Sequence, residues 1–141
     1  MAEIHHEIKV RATAERIREA LMSATELQAW HGGRVTVAGN ALRFEYADGS
    51  PSFCWAIQPD KSGKGIVWRC LEGPGDSVGT EASFAISAGD KGRSLVEFVH
   101  RGWPHTSGNF RKCNTQWAIL LHHLCRYLET GKADPALRAP M

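Results

Sequence analysis

The sequence lacks an uninterrupted apolar run long enough to cross a membrane. Its most apolar stretch, Trp117 to Leu128, is interrupted by two histidines and an arginine, and it is shorter than the ~20 residues that a spanning helix needs. The first residues also lack the basic, apolar and small-residue order of a secretory signal. These absences predict a cytoplasmic protein without a membrane partner.

The chain also has little excess of charge of either sign. It carries 17 Lys and Arg against 15 Asp and Glu, a formal net charge of +2. A balance this close to zero creates no strong field to attract a polyanion. The basic residues of the turns are not interleaved with exposed aromatics, as single-strand binders require. We therefore expect no nucleic-acid partner.

Cysteine is sparse and dispersed, with no C-x-x-C pair to form a zinc knuckle or a redox motif. The four cysteines are Cys54, Cys70, Cys113 and Cys125. Without a secretory signal, they are expected to be reduced thiols in the core. His100, His105 and Cys113 have a spacing that fits no standard metal pattern. The sequence therefore predicts neither a metal site nor a cofactor.

Recognisable catalytic motifs are absent as well. Neither G-x-S-x-G nor H-E-x-x-H occurs. The acidic residues fall in turns or on the polar side of alternating strands, so no carboxylate pair is placed inside for acid and base work. The sequence assigns no catalytic residue, and it favours a binding protein over an enzyme.

At 141 residues, the chain is long enough for one globular domain with a core of its own. We expect that domain over residues 1–132 and a loose tail over 133–141. Alternation over residues 3–11 predicts a half-buried strand. Thr13 can cap a first helix, and Ser23 with Glu26 forms a capping box for a second.

The middle of the chain reads as a meander of short strands separated by turn residues about every ten positions. The predicted strands are 34–38, 41–47, 52–58, 65–72, 79–88 and 93–101. A long amphipathic helix follows from Asn109 to Thr130, and Gly131 ends it. The order β-α-α-β6-α predicts an α+β fold.

In these strands, alternate positions divide the residues into an apolar and a charged face. The apolar face carries six large rings, Phe44, Phe53, Trp55, Trp68, Phe84 and Phe98. The charged face carries Arg43, Glu45, Arg69, Glu81, Glu97 and Arg101. Only the C-terminal helix, with Phe110 and Trp117, is long enough to cover so large an aromatic surface.

Four segments carry a resemblance to a known family. They are Val10 to Leu21, Thr25 to Trp30, Phe98 to Trp103, and Trp117 onward to Gly131. Together they resemble the SRPBCC (START-like) superfamily, most closely the domains homologous to the C-terminal part of the heat-shock protein 90 ATPase activator. The resemblance implies a helix-grip fold, in which a curved, antiparallel, seven-stranded sheet wraps a long C-terminal helix, often around a cavity for apolar ligands.

The facing rings and the resemblance together predict binding of a small hydrophobic or aromatic ligand between sheet and helix. The predicted ligand-binding residues are Trp30, Phe44, Phe53, Trp55, Trp68, Phe84, Phe98, His100, Phe110, Cys113, Trp117 and Leu121. The alternative is that the same rings fill the core at native density. Sequence alone leaves both possibilities open.

His100 and His6 are the polar residues of the apolar face, and pairing of the first and last strands would bring the two imidazoles near each other. His100 is predicted to anchor the ligand, with a structurally satisfied histidine as the alternative. Two other functions stay open: a cyclase- or hydratase-like enzyme using His100 or Tyr46, and a chaperone-linked stress-response module. An exposed edge strand would also permit a homodimer.

Overall fold

A computed structural model describes residues 1–133, so all but the first residue of the expected tail lies outside the described residues. The strands are β1 (Ala2–Val10), β2 (Arg34–Ala38), β3 (Ala41–Glu45), β4 (Phe53–Pro59), β5 (Ile66–Glu72), β6 (Glu81–Ala88) and β7 (Ser94–Trp103). The helices are α1 (Ala14–Met22), α2 (Ala24–Trp30) and α3 (Asn109–Thr130), with a 3₁₀ turn at Gly75–Ser77. No helix within residues 1–133 is both long and apolar enough to cross a membrane.

The seven strands form one antiparallel sheet in the order β1-β7-β6-β5-β4-β3-β2. Consecutive strands pair as a meander from β2 to β7, and β1 then pairs with β7. The edges of the sheet are therefore β1 and β2. Together with the 22-residue helix α3, this arrangement confirms the predicted α+β helix-grip fold.

Only the strand predicted over 34–38 has both of its limits as expected, and the other strands differ by one or two residues at one or both ends. The two strands shortened by two residues show why. The strand predicted over 41–47 ends at Glu45, because pairing with β4 extends only to Phe44 opposite Phe53. The strand predicted over 79–88 begins at Glu81, because Thr80 closes the preceding turn through a hydrogen bond from its hydroxyl to the carbonyl of Ser77. Tyr46 and Thr80 therefore lie just outside the sheet.

The predicted division of the sheet into two faces is present in the structure. Alternate residues of β5, β6 and β7 are buried, and their neighbours face outward. On the outer face, Arg69 pairs with Glu81 at 3.2 Å and Arg43 with Glu72 at 2.7 Å. Exposed ion pairs of this kind contribute little to stability, so the buried face provides most of it.

Helix α3 lies on the apolar face of the sheet, and its main backbone contacts are with β1, α1, α2 and the 3₁₀ turn. Its C-terminal end is joined to the short helices through Glu26, which pairs with Arg16 and accepts a hydrogen bond of 2.9 Å from the Tyr127 hydroxyl. Gly131 ends α3 in the left-handed conformation that favours glycine, with φ of 76°. The strands β4 to β7 meet α3 through large side chains, because the Trp117 ring packs against the rings of Trp55, Trp68, Phe84 and Phe98.

Candidate functional site

The centre of the apolar layer is a cluster of aromatic rings packed against one another. Trp68 lies in its middle, with ring centroids 6.0 Å from Phe44, 5.7 Å from Trp55, 5.3 Å from Phe84 and 5.7 Å from Trp117. Trp68, Phe44 and Phe84 have no exposed surface. In this region the rings fill the core, which is the alternative that the sequence left open.

A small pocket opens at one side of this cluster, between β4, α3 and the turn after α2. Its volume is about 30 Å³, which is room for one or two water molecules. Its lining is mainly apolar, with three polar side chains among rings and aliphatic groups. The lining residues are His31, Tyr46, Phe53, Trp55, Cys113, Gln116, Trp117 and Leu120.

The pocket reaches solvent, whereas Phe44, Trp68 and Phe84 at the centre of the ring cluster do not. Seven of the eight lining residues keep between 3 and 7% of their surface exposed, and Tyr46 is half-buried. Tyr46 closes one side of the pocket by packing over Gly33 and stacking on His31, with ring centroids 6.5 Å apart. A Cβ at position 33 would lie 2.7 Å from the Tyr46 ring, and φ there is +82°, so only glycine fits beneath it.

Four of the twelve predicted ligand-binding residues line this pocket: Phe53, Trp55, Cys113 and Trp117. The other eight lie elsewhere, namely Trp30, Phe44, Trp68, Phe84, Phe98, His100, Phe110 and Leu121. Trp30 is fully buried and donates its indole N–H to the carbonyl of Ala20 at 2.8 Å. Phe110 packs at a right angle on Trp103, with ring centroids 5.9 Å apart. The pocket is therefore smaller and closer to the β2 edge than the sequence suggested.

Four lining residues were not among the predicted ligand contacts: His31, Tyr46, Gln116 and Leu120. Tyr46 was named only for the enzyme alternative. The helical period could have identified Gln116 and Leu120, because each is three residues from a lining residue of α3, Cys113 and Trp117. No local pattern in the sequence identifies His31 as a ligand contact, since it stands only at the end of α2. Its ring reaches the pocket because it packs on Phe44, with centroids 4.7 Å apart.

His100 belongs to a continuous chain of buried hydrogen bonds. The indole N–H of Trp117 donates to Nδ1 of His100 at 3.0 Å. Nδ1 therefore carries no proton, and the neutral ring donates from Nε2 to the Thr80 hydroxyl at 2.7 Å. The Thr80 hydroxyl donates in turn to the carbonyl of Ser77 at 2.6 Å. This chain connects α3, β7 and the 3₁₀ turn, and both ring nitrogens of His100 are used within the protein.

The surroundings of His100 also disfavour its protonation. The side chain is fully buried, and desolvation lowers the pKa of His100 to about 3. The expected approach of His6 does not occur through pairing, since His6 is opposite Phe98 while Ile4 is opposite His100. The geometry gives His100 the structural role that the sequence left as the alternative to a ligand anchor.

Cys113 is the thiol that faces the pocket. Desolvation raises the pKa of Cys113 to about 12, so this side chain stays protonated and behaves as a small apolar group. All four cysteines are free thiols. Within residues 1–133, no group of three His, Cys, Asp or Glu residues is arranged to hold a metal ion.

Comparison with solved structures shows which proteins share this fold. No family model and no curated protein matches the sequence. The solution structure of the Aha1 dimer from Colwellia psychrerythraea superposes with a TM-score of 0.79 and 29% sequence identity, over 94% of this chain and 100% of that one. In fold, the chain resembles the SRPBCC (START-like) superfamily. Within that superfamily it resembles the Aha1 branch.

Two further solved structures share the fold at lower identity. DynU16, a protein of the dynemicin biosynthetic locus, matches with a TM-score of 0.73 and 18% identity, over 93% of this chain and 48% of that chain. XoxI from Bacillus cereus also has a TM-score of 0.73, with 12% identity, over 91% of this chain and 96% of that one. At these identities the likeness establishes the fold alone.

Proposed function

We propose that this SRPBCC domain binds a small, flat, apolar molecule at the pocket beside Trp55 and Trp117. The supporting observation is the position of the pocket, which is the point where the aromatic layer between sheet and helix reaches solvent. Binding sites for small molecules combine apolar walls with a few polar groups. Here the walls include Phe53 and Leu120, and His31 supplies a polar edge.

The proposal requires the pocket to widen. Its volume of about 30 Å³ is well below the ~300 Å³ at the lower end of ordinary ligand sites. Trp117 is fixed by its hydrogen bond to His100, whereas Tyr46 is half-buried and lies beyond the end of β3. We therefore propose that Tyr46 moves outward on binding, and that the guest is no larger than one or two fused rings.

The test is a titration with 2-naphthol as the probe, and a variant that fills the pocket. In the unmodified protein, 2-naphthol should quench tryptophan emission saturably. Leu120→Trp should reduce the affinity at least tenfold, because the larger ring occupies the space that the probe needs. The readout is the tryptophan fluorescence at each probe concentration.

Ala118→Trp is the matched control, because Ala118 lies on the exposed side of the same helix. This variant should bind 2-naphthol as the unmodified protein does. Equal affinity in Leu120→Trp, or quenching that never saturates, would refute the proposal.

We also propose that the chain forms a homodimer in the cytoplasm. The related Aha1 structure is described as a dimer, and this chain leaves two sheet edges, β1 and β2, without a neighbouring strand within residues 1–133. Light scattering on the purified protein should give twice the mass of 15.6 kDa. A mass of one chain at high micromolar concentration would rule the dimer out. The chaperone-linked role and the enzyme alternative remain predictions from the sequence.

A further inference from the structure

A second cluster of polar side chains lies apart from the pocket, where the 3₁₀ turn meets the loop before α3. Asp76 is in the 3₁₀ turn, while His105 and Ser107 are in the loop. Oδ2 of Asp76 is 3.0 Å from Nε2 of His105. The Ser107 hydroxyl is 2.8 Å from Nδ1 of the same ring. The fold therefore joins a carboxylate, an imidazole and a hydroxyl in one line, although Asp76 is far from the other two in sequence.

The hydrogen bonds show which atoms of these three side chains donate and which accept. The backbone N–H of Ser107 donates to Nδ1 of His105 at 3.3 Å, so Nδ1 is an acceptor. The neutral ring then carries its proton on Nε2, where it donates to Asp76. The Ser107 hydroxyl can donate only to the unprotonated Nδ1. A hydroxyl that donates to an imidazole, itself oriented by a carboxylate, is the arrangement that activates a serine nucleophile.

The surroundings of Ser107 also suit a negative charge that develops on a substrate. Helix α3, 22 residues long, begins two residues after Ser107, so the positive end of its dipole lies beside the hydroxyl. The Arg111 side chain folds back and donates from Nε to the carbonyl of Thr106 at 2.9 Å, which places a cation at the same end of the helix. About half of the His105 side chain is exposed, so a small substrate can reach the cluster.

We propose that Asp76, His105 and Ser107 form an acyl-transfer site for small carboxylic esters. Oγ of Ser107 forms a bond to the ester carbonyl carbon while its proton passes to Nδ1 of His105. The bond from that carbon to the alcohol oxygen then breaks, and the alcohol leaves with the proton. Water, deprotonated by the same nitrogen, releases the carboxylic acid and restores the serine.

The first test is labelling of the full chain with an alkyl fluorophosphonate. The Ser107 oxygen displaces fluoride from phosphorus, and His105 accepts the proton. We expect an adduct on the peptide that contains Ser107. His105→Gln should slow its formation by at least ~10-fold, a conservative figure for the loss of a general base. Asp76→Asn should slow it as well, because the ring loses its orienting carboxylate.

Ser52→Ala is the matched control, since Ser52 is an exposed serine outside the cluster, and its labelling rate should equal that of the unmodified protein. The second readout is hydrolysis of p-nitrophenyl acetate, which Ser107→Ala should reduce by ~10-fold or more while leaving the thermal midpoint unchanged. An adduct absent from Ser107, or formed equally fast in His105→Gln, would overturn the proposal. So would acetylation confined to lysines. The pocket proposal does not depend on either result.

Discussion

Trp117→Ala should lower the free energy of unfolding by roughly 4 kcal/mol, at the upper end of what one substitution does. The side chain is buried, and it contacts the rings of Phe98, Trp68 and Phe84 at centroid distances of 4.4, 5.7 and 5.9 Å. Its removal leaves a cavity at the junction of sheet and helix. It also takes away the donor to Nδ1 of His100. Urea denaturation with an unchanged m-value would measure the loss.

Trp117→Phe separates the hydrogen bond from the packing. This variant keeps a ring but leaves Nδ1 of His100 without its donor, which should cost about 1–3 kcal/mol beyond the loss of ring size. Trp103→Phe is the matched control, because the buried indole N–H of Trp103 has no acceptor among the described residues. If both variants lose the same stability, the bond from Trp117 to His100 contributes nothing and the proposed buried chain is wrong.

The second large effect is a loss of stability with falling pH that depends on His100. In the unfolded chain a histidine has its ordinary pKa near 6.5, whereas in the folded protein burial lowers the pKa of His100 to about 3. Between these values only the unfolded chain binds the proton, so acid favours unfolding. The stabilisation is complete above pH 6.5, falls by about 1.4 kcal/mol per pH unit below it, and is exhausted near pH 3.

His100→Gln provides the comparison, because a glutamine amide can both accept from Trp117 and donate to Thr80 without titrating. Between pH 6.5 and pH 5 the unmodified protein should lose about 2 kcal/mol more than this variant. Carboxylates titrate mainly below that window. Should His100→Gln fold poorly, ring nitrogen NMR of the unmodified protein can replace it, with a neutral His100 expected at pH 5. Equal pH slopes, or a protonated ring at pH 5, would contradict the assignment.

The fold followed from local patterns because each element repeats its signal over many residues. Alternation in β5, β6 and β7 is strict enough to assign Trp68, Phe84 and Phe98 to one face. The spacing of α3 and its terminal Gly131 likewise gave both ends of the helix. The ends of strands were harder to predict, because they depend on pairing with residues distant in sequence. The last pair between β3 and β4, Phe44 opposite Phe53, shows where β3 stops.

The site could be predicted only in part from the sequence, because the pattern of residues does not show where packed side chains leave a space. Alternation shows that Trp55 and Phe84 face the helix, but not that Phe84 fills its space completely while Trp55 borders a gap. That distinction depends on how large side chains from several elements interlock. The hydrogen-bond partners of His100 could not be predicted either, because they come from other elements. Thr80 precedes β6, and Trp117 lies in α3.

The most direct measurement of ligand binding at the pocket is an NMR titration of the five tryptophan indole N–H signals with 2-naphthol. Trp55 and Trp117 line the pocket, whereas Trp30 and Trp103 are fully buried outside it. The account predicts saturable shifts for Trp55 and Trp117, with the signals of Trp30 and Trp103 unchanged. Shifts spread equally over all five signals, or no saturable shift at Trp55 and Trp117, would contradict it.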